Sequence, residues 1–513
     1  MTVHTGWVAR SPMQVRGYAF FDDNNDGTNQ NTPAEYRIKD IDVELTNVDN
    51  NAVVATGKTD TSKLNDAFKF TDLPTGQYCI KMTDPTGRYK PAPIGTSTTS
   101  PNNQLDADGK YCFTLDSTTA TEFANTLMTI HSGFVPAQLL AIRGYPFFDV
   151  NKNGNNENTA EQYRINGINV DLLKDGEIIR SGTTDTAKVN DAFRFDNLAG
   201  GDYCIKMSDP SGVYIPGPKG SSNSQDADGQ YCFTLDSSTA TEAGNTLMTI
   251  HSGWVAKTPL TLRGYAFYDA NNNGTNENTP DEFRIKDIDV QLTSEDNGGV
   301  VIRSGKTVIT QSNDAFIYRN LPSGKYCIKM TDPSGTYKPT IIGTSTTNPN
   351  NPLDADGMYC FTLDSTTATE FANTLMIIHS GWVALKPIDL RGYAFFDANN
   401  DGSNQNDAAE FRINGIDVSV INSDAGDVVI RTAKTDTALV NDAFKFTNLA
   451  GNVKYCVQMN DPSGVYKPTI IGTSATLANN PLDATGKYCF TLDSTTATES
   501  GTLMTIHTGW VRK

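Results

Sequence analysis

A short acidic stretch, which follows the first apolar segment, carries the residues best suited to metal chemistry. Asp22, Asn24 and Asp26 stand at alternate positions, and Gly27 follows them. Oxygen side chains at positions 1, 3 and 5, with glycine at 6 for a tight turn, are typical of the first half of an EF-hand-type calcium loop. The pattern occurs four times, and its members are Asp22, Asn24 and Asp26; Asp149, Asn151 and Asn153; Asp269, Asn271 and Asn273; and Asp397, Asn399 and Asp401.

Calcium binds about six to eight oxygens, so the loop needs further ligands. We expect the backbone carbonyl of Thr28 and a later carboxylate to contribute. The later carboxylates that share one spacing from the first aspartate are Glu35, Glu282 and Glu410. The second copy has Gln162 at that position, and Glu161 just before it is its candidate ligand. The sequence predicts about one Ca²⁺ per repeat, or more, with a metal-free Asn/Gly-rich hairpin as the alternative.

A second acidic cluster, DADG, recurs further along the chain. Its aspartates are Asp106 and Asp108, Asp226 and Asp228, and Asp354 and Asp356, and the fourth copy keeps only Asp483. We interpret this cluster as a turn that caps or assists a site.

The eight cysteines occur as two per repeat, in the segments YCIKM or YCVQM and YCFTL. In a strand, Tyr78, Ile80 and Met82 share one face, which leaves Cys79 on the other, and the same alternation sets Cys112 opposite its apolar neighbours. This parity favours one disulfide within each repeat: Cys79–Cys112, Cys204–Cys232, Cys327–Cys360 and Cys456–Cys489. The alternatives are free thiols in a cytosolic protein, or a metal site. Disulfides imply an oxidising, extracellular location.

All five histidines and all four tryptophans fall in one recurring motif, H[ST]G[FW]V. The motif supplies no catalytic partners, so a structural histidine beside a packing aromatic is the simpler interpretation. The sequence contains no nucleophile elbow, phosphate loop or zinc spacing. We therefore predict that the protein is not an enzyme.

These motifs are positioned by four internal repeats, each of which starts with RGY[AP]F[FY]D. The first arginines, Arg16, Arg143, Arg263 and Arg391, are 127, 120 and 128 residues apart. The spacers between repeats have constant length, contain proline and differ in sequence, which is typical of a stiff array. The predicted segments are 16–135, 143–255, 263–383 and 391–513, preceded by 1–15 as the closing strand of an earlier repeat plus a linker.

Apolar residues within a repeat alternate with period two, as in IDVEL and AFKF, and Gly, Asn, Asp and Pro separate the runs. This pattern predicts short strands at regular spacing, and hence an all-β chain of four tandem β-sandwiches in an elongated array. No apolar run approaches the length of a membrane span. The net charge of −18 argues against nucleic acid as a partner.

The combined pattern GYAFFDDNNDG, IDVEL, AFKFTDL, YCIKM, DADG and FTL resembles the B-type repeats of serine–aspartate-repeat adhesins. It is similar more broadly to the collagen-adhesin B-type (Cna-B, prealbumin-like) sandwich. The resemblance implies a seven-stranded, Greek-key-like sandwich that acts as a calcium-stiffened stalk, with calcium ligands at Asp22, Asn24 and Asp26 and their equivalents. The first strand has Arg16 where many relatives have a lysine that forms an isopeptide crosslink, and we expect the cysteine pair to fulfil that role.

Two functions follow from these observations. The first is a structural extracellular rod or filament at the cell surface, whose partners are copies of itself or neighbouring repeats. The alternative is an adhesin that binds a glycan or protein ligand through exposed tyrosines in the GRYKP-type segments and through the neighbouring GTSTT loops.

The opening residues MTVHTGWV match the end of each repeat. We expect the sequence to be part of a longer array. The alternative is a natural terminus whose strand completes another subunit.

Overall fold

The computed structural model describes residues 11–63, 66–92, 105–188, 191–309, 314–340, 353–405, 407–439, 442–469, 482–497 and 499–513. The chain divides into two compact units, an N-terminal unit, Met1–Val255, and a C-terminal unit, Ala256–Lys513. The finer repeat boundaries drawn from the sequence stay predictions. Residues 1–10 of the predicted leading strand and the GTSTT segments at 95–99 and 343–347 lie outside the described residues.

Among its described residues the N-terminal unit contains seventeen strands, nine from repeat 1 and eight from repeat 2. Those of repeat 1 are β1 (Met13–Phe21), β2 (Arg37–Ile38), β3 (Asp42–Asn47), β4 (Val53–Lys58), β5 (Phe68–Leu73), β6 (Gly76–Thr83), β7 (Tyr89–Pro91), β8 (Lys110–Leu115) and β9 (Leu127–Pro136). Those of repeat 2 are β10 (Leu140–Phe148), β11 (Asn169–Lys174), β12 (Glu177–Thr183), β13 (Phe193–Leu198), β14 (Gly201–Ser208), β15 (Tyr214–Pro216), β16 (Gln230–Leu235) and β17 (Leu247–Ala256).

The C-terminal unit has the same order of elements. Repeat 3 contributes β18 (Leu260–Tyr268), β19 (Arg284–Ile285), β20 (Asp289–Ser294), a 3-10 turn (Glu295–Asn297), β21 (Val300–Lys306), β22 (Phe316–Leu321), β23 (Gly324–Thr331), β24 (Tyr337–Pro339), β25 (Met358–Leu363) and β26 (Leu375–Ala384). Repeat 4 contributes β27 (Pro387–Phe396), β28 (Asp417–Asn422), β29 (Val428–Lys434), β30 (Phe444–Ala450), β31 (Val453–Asn460), β32 (Tyr466–Pro468), β33 (Lys487–Leu492) and β34 (Leu503–Arg512).

Each repeat folds as two sheets. In repeat 1 the first sheet has the order β2-β1-β9-β7, with β5 also paired to β1, and the second has the order β4-β3-β6-β8. The first and last strands of the repeat, β1 and β9, are parallel neighbours, whereas β6 and β8 are antiparallel. The predicted all-β sandwich class is confirmed, and the residues that the structure describes contain no α-helix.

The core lies between the two sheets and follows the alternation read from the sequence. In β6, Tyr78, Ile80 and Met82 are at most 1% exposed. They pack in one cluster with Val15 and Phe134 from the terminal strands. Burial of such side chains is the main favourable term in folding a domain of this size.

The four predicted disulfides are present, as Cys79–Cys112, Cys204–Cys232, Cys327–Cys360 and Cys456–Cys489. Cys79 and Cys112 are directly opposite each other in the β6–β8 ladder. Both lie on the face of the sheet that points away from the core, where Cys112 is exposed and Cys79 is covered. Strand parity therefore identified the pairing correctly, because cross-strand neighbours on one face are close enough to bond.

A left-handed turn precedes the last strand of each repeat. In repeat 1 it contains three successive residues with positive φ, namely Phe123 (47°), Ala124 (56°) and Asn125 (62°). Two following N–H groups donate to the carbonyl of Glu122 at 3.1 Å and close the turn. Repeat 2 has Gly244 at the position of Ala124, with a φ of 71°.

The difference between Ala124 and Gly244 at this position predicts the effect of exchanging the two residue types. Ala124→Gly should raise the free energy of unfolding of repeat 1 by about 1 kcal/mol, because glycine removes the Cβ penalty of the left-handed region. Gly244→Ala should lower that of repeat 2 by a similar amount, since no atom lies within 4 Å of the added Cβ and only the backbone term changes. Hydrogen exchange of the full chain, resolved by repeat, measures both changes. Shifts of the same sign would contradict the prediction.

No helix among the described residues has the length and hydropathy that a membrane-spanning segment requires.

Candidate metal-binding loops

The acidic loop begins where the first strand of each repeat ends. The N–H of Asp22 donates to the carbonyl of Phe134 in the parallel last strand at 2.9 Å. The equivalent bonds join Asp149 to Trp254, Asp269 to Trp382 and Asp397 to Trp510. Because these aromatic side chains are at most 1% exposed, the first residue of each loop is fixed to the core.

The loop of repeat 1 curls around its own carboxylates. Asp22 is 1% exposed, and its two carboxylate oxygens accept the N–H groups of Asp26 (3.1 Å) and Gly27 (2.8 Å). Asp26 in turn accepts the N–H of Thr28 at 2.7 Å. The buried Glu35 accepts the N–H of Gln30, which closes the loop. The 1-3-5-6 spacing thus forms one compact turn.

The carboxylates read from the sequence converge in two repeats. One oxygen each from Asp22, Asp26 and Glu35 lie within 4.8 Å of one another, and so do those of Asp397, Asp401 and Glu410. Three carboxylates at this separation can hold a cation. The carbonyl of Thr28 stays a predicted ligand.

Within the described parts of these loops, two buried carboxylate oxygens have no hydrogen-bond partner, namely Oε1 of Glu282 and Oε1 of Glu410. Burial also raises the pKa of Asp22 and of Glu35, and it raises the pKa of Glu282 to about 8. Desolvated carboxylates that face one another are destabilising unless a cation or proton neutralises them. The donor set therefore fits a hard divalent cation.

In repeat 2 the structure places Gln162, rather than Glu161, in the position of Glu35. Gln162 is buried, its Oε1 accepts the N–H of Glu157 at 2.5 Å, and its Nε2 donates to the carbonyl of Asn155 at 2.8 Å. Glu161 is exposed. Repeat 2 consequently presents fewer carboxylates than the other three repeats.

A further loop residue was missed in the sequence, at the ninth position of each loop. Gln30 donates through Nε2 to Asp26 at 2.5 Å, whereas Glu277 accepts from Asn273 at 2.5 Å. Across the four copies the fifth and ninth residues exchange their charge: Asp26 with Gln30, Asn153 with Glu157, Asn273 with Glu277, and Asp401 with Gln405. This reciprocal exchange keeps one carboxylate at the fifth or ninth position of every loop, and it was the signal that could have found the residue.

The recurring histidines stack beside these loops. The ring centre of His131 lies 3.9 Å from that of Tyr18, and the guanidinium of Arg37 lies 4.1 Å from the same tyrosine ring. Asn29 of the loop donates to the Tyr18 hydroxyl at 3.3 Å. Burial lowers the pKa of His131 to about 4. The histidine is thus a neutral packing residue, as its motif suggested.

This stack predicts a loss of stability in mild acid. His131, His379 and His507 have pKa values lowered to about 4 in the folded chain, against 6.5 when unperturbed. Between these values the unfolded chain binds more protons, so stability present above pH 6.5 is lost as the pH falls. The slope should approach, as an upper bound, about 1.4 kcal/mol per pH unit per histidine. Thermal unfolding between pH 7.5 and 5 measures this slope. The variant His131→Phe should reduce the pH dependence of the stability of repeat 1. An unchanged midpoint above pH 5 would contradict the prediction.

The tyrosines expected to form an exposed ligand face are covered instead. Tyr89 is half-buried, its ring meets that of Phe21 edge-on at 6.1 Å, and burial raises its pKa to about 12. Tyr337 is also half-buried and meets Tyr268 in the same way. The expectation of exposed tyrosines is therefore wrong at these positions.

The DADG cluster is a turn, in which Asp106 accepts the N–H of Asp108 at 2.9 Å.

A family model described as the SdrD B-like domain matches residues 13–134 and 141–254. Serine-aspartate repeat-containing protein D of Staphylococcus aureus (strain Newman) is 30% identical over 460 residues, which cover 90% of this chain and 31% of that protein. Colossin-A of Dictyostelium discoideum is 27% identical over 486 residues, which cover 94% of this chain and 4% of that protein. The chain therefore spans less than a third of the length of these relatives.

Two solved structures align at low similarity. The Bacillus anthracis TIE protein aligns at 13% identity with a TM-score of 0.26, covering 99% of this chain and 76% of that one. The major pilin subunit BcpA of Bacillus cereus aligns at 12% identity with a TM-score of 0.20, covering 72% of this chain and 99% of that one.

The resemblance drawn from the repeated motifs is confirmed by the family match.

Proposed function

Because residues 13–134 and 141–254 match the SdrD B-like domain model, we propose that this chain is a tandem-repeat rod on the outside of a cell, stabilised by calcium and disulfides. Its location at the cell surface follows from this family and agrees with four disulfides, which persist in oxidising compartments. Its role is mechanical rather than enzymatic. The observation that carries the proposal is the junction between consecutive repeats inside each unit.

In the N-terminal unit the junction involves the acidic loop of repeat 1. Arg180 of β12 forms an ion pair with Asp23, the second residue of that loop, and the two side chains are 19% and 28% exposed. The Nζ of Lys174 lies 5.3 Å from the ring centre of Tyr36 in repeat 1 and 4.4 Å from that of Tyr203 in repeat 2. The loop that would bind calcium is thus also a contact with the next repeat.

The C-terminal unit has an equivalent junction. Arg431 occupies in repeat 4 the place of Arg180, and its Nε lies 3.8 Å from a carboxylate oxygen of Asp281. Asp281 immediately precedes the loop residue Glu282. The hydroxyl of Tyr268 donates to the carbonyl of Asn448 in repeat 4. Asp281 and Asp23 occupy different positions in their loops. In both units, however, the arginine at the equivalent position of the later repeat pairs with an aspartate of the earlier repeat, which supports a functional contact.

The spacers after repeats 1 and 3 are each held at their start as well. The N–H of Ala137 donates to the carbonyl of Arg88 at 2.8 Å, and that of Leu385 donates to the carbonyl of Thr336 at 2.8 Å. A spacer that is bonded to the repeat before it has few free dihedral angles, so it acts as a stiff connection. Calcium bound in the loop of repeat 1 would hold the backbone that carries Asp23, and calcium bound in the loop of repeat 3 would hold the backbone next to Asp281. In each unit the bound ion would thereby stiffen the junction with the following repeat.

Small-angle scattering of the full chain tests this function. We expect an elongated particle in about 1 mM calcium, and a broader distribution of dimensions after chelation. Arg180→Ala with Arg431→Ala should produce part of that broadening in calcium, whereas Lys63→Ala, which removes an exposed ion pair with Asp60, should not. A compact particle whose dimensions do not change when chelator is added would contradict the proposed rod.

The alternative function is an adhesin whose repeats bind a glycan or protein. Part of its predicted ligand face lies outside the described residues, and the tyrosines Tyr89 and Tyr337 are half-buried. A glycan array probed with the full chain distinguishes the two functions, since the rod requires no bound glycan.

A further inference from the structure

The aromatic residue that follows the last carboxylate of the acidic loop is covered in repeat 3 and exposed in repeat 4. Phe283 is 9% exposed and lines a cavity of about 300 Å³ together with Asn422 and Val453 of the next repeat. Phe411, at the same position of repeat 4, is 44% exposed. The face that repeat 4 covers in repeat 3 is thus exposed in repeat 4 itself.

A second pair of equivalent residues shows the same difference. Thr336 of repeat 3 is 5% exposed, whereas Val465, at its position in repeat 4, is 48% exposed. We call Phe411, Val465 and the half-buried Phe396 the end face of repeat 4. Terminal repeats that cap an array present a polar outer face. Because valine replaces threonine here, the end face has the composition of a contact surface rather than that of a cap.

The backbone leaves repeat 4 in the same way as it leaves repeats 1 and 3. The N–H of Lys513 donates to the carbonyl of Val465 at 3.0 Å. The equivalent bonds at the starts of the two spacers described above are those of Ala137 and Leu385. A repeat joined after residue 513 would therefore be directed toward the end face, as repeat 4 is directed toward the same face of repeat 3.

The end face differs in charge from the two described junctions. In those junctions an arginine of the later repeat pairs with an acid of the earlier repeat, and the pairs are Arg180 with Asp23 and Arg431 with Asp281. Repeat 4 has alanine at both acidic positions, Ala398 and Ala409. The guanidinium of Arg512 lies 5.9 Å from the ring centre of Phe396. The end face thus has a cation beside it and neither of the two acids.

An arginine brought to the end face would lack the acid that pairs with it in both junctions. The nearby Asp407 does not replace that acid, because its Oδ1 accepts the N–H groups of Ala409 (2.8 Å) and Glu410 (3.0 Å) in its own loop. Covering an unpaired charge is costly, and the positive charge of Arg512 adds repulsion. The end face therefore disfavours a repeat that carries the arginine.

Repeat 1 is an example of a repeat without this arginine. Ala55 of β4 stands at the position of the two junction arginines. The preceding residue, Val54, is 45% exposed. The equivalent Ile179 and Ile430, which belong to repeats that adjoin an earlier one, are 6% and 5% exposed. A strand of the repeat 1 type thus offers an uncovered apolar side chain and no cation at the junction position.

We propose that the end face of repeat 4 is a docking surface for a further β-sandwich repeat, joined after residue 513, whose strand equivalent to β4 has a small uncharged residue in place of the arginine. The proposal rests on the rod function given above and deepens it, because it names the kind of repeat that continues the rod. Apolar contact with Phe411 and Val465 provides the attraction. The missing acids and Arg512 provide the selection among repeats.

A chain lengthened by one repeat tests the docking surface. Residues 11–136 are appended after Lys513 as a second copy of repeat 1, which keeps the spacer length of the other repeats. Hydrogen exchange of peptides that contain Phe411 or Val465 should slow by about tenfold or more relative to the 513-residue chain. Peptides of the appended copy report separately that it is folded. Unchanged exchange in repeat 4 beside a folded copy would overturn the proposal.

The same lengthened chain tests the selection against arginine. Ala55→Arg in the appended copy should remove the protection of repeat 4. Adding Ala409→Asp in repeat 4 should restore it, because the two changes recreate the pair of Asp281 with Arg431. The matched control is Thr56→Arg in the appended copy, which adds the same charge one residue later, on the opposite face of the strand, and should leave the protection unchanged. Equal effects of the two arginines, or no rescue, would overturn the selection.

Two further measurements on the 513-residue chain separate the possible failures. If docking fails but the rod function holds, small-angle scattering of this chain still shows an elongated, calcium-dependent particle, whereas a compact particle contradicts the rod itself. Exchange of the Phe411 peptides should not depend on protein concentration. Protection that appears as the concentration rises would identify a second copy as the occupant and would overturn the assignment to a joined repeat.

Discussion

Repeat 1 should lose about 3 to 4 kcal/mol of its free energy of unfolding when Cys79 and Cys112 are both replaced by serine. The bond closes a loop with a sequence separation of 33 residues, and in the chain-entropy model a loop of this length restricts the unfolded chain by that amount. For a small β-sandwich this is a large part of the total stability. Repeat 1 should therefore unfold well before the other three repeats.

Hydrogen exchange of the full chain, followed separately for peptides of each repeat, measures the loss. The matched control is Gln77→Ser with Thr114→Ser, because these residues are the neighbouring cross-strand pair in the same ladder and on the same face. The control should shift stability by less than about 0.5 kcal/mol. A cysteine variant that behaves like this control would show that the disulfide adds nothing to the β6–β8 ladder.

Glu282→Gln should change the stability of repeat 3 in opposite directions with and without calcium. Without calcium the variant should be more stable than the wild type, because it removes a buried carboxylate whose Oε1 has no partner. With calcium near 1 mM and a dissociation constant of about 10⁻⁵ M, the wild type gains about 2.7 kcal/mol. The variant should lose most of this gain, so the two stability curves cross as calcium is added.

Repeat 2 supplies the reciprocal experiment. Gln162→Glu restores the carboxylate that repeats 1, 3 and 4 possess at this buried position and should raise the calcium affinity of repeat 2 by about tenfold, since affinity follows the number of charged ligands. Glu161→Gln changes the exposed neighbour and should have no effect. Calorimetric titration combined with repeat-resolved hydrogen exchange reads both variants. If Glu161→Gln weakens binding and Gln162→Glu does not strengthen it, the loop assignment drawn from the structure is wrong.

The features that were predictable from the sequence are those fixed by local periodicity. Strand alternation placed Cys79 and Cys112 on one face, and because strands β6 and β8 pair directly, that face decided the disulfide. The loop from Asp22 to Gly27 was predictable for the same reason, since its hydrogen bonds span at most five residues. Four copies of each pattern removed the ambiguity that a single copy would leave.

The features that were missed depend on contacts between distant segments. Tyr89 is covered by Tyr36, whose hydroxyl lies 3.3 Å from its own, and by the ring of Phe21, and no local pattern reports these contacts. Gln162 rather than Glu161 enters the loop because the backbone after the turn buries every residue at that position, Glu35 included. The spacing along the chain correctly places Gln162 at the position of Glu35. The choice of Glu161 as the ligand was wrong because it relied on charge alone.

The parallel pairing of the first and last strands determines how a repeat responds to force. Eight consecutive residue pairs join β1 to β9, from Gln14 with Leu127 to Phe21 with Phe134. The chain enters at one end of this ladder and leaves at the other, so tension along the chain shears all of its hydrogen bonds together. A repeat built this way resists pulling far better than one whose strands can be peeled apart one bond at a time. The disulfides lie in the second sheet, outside this load path.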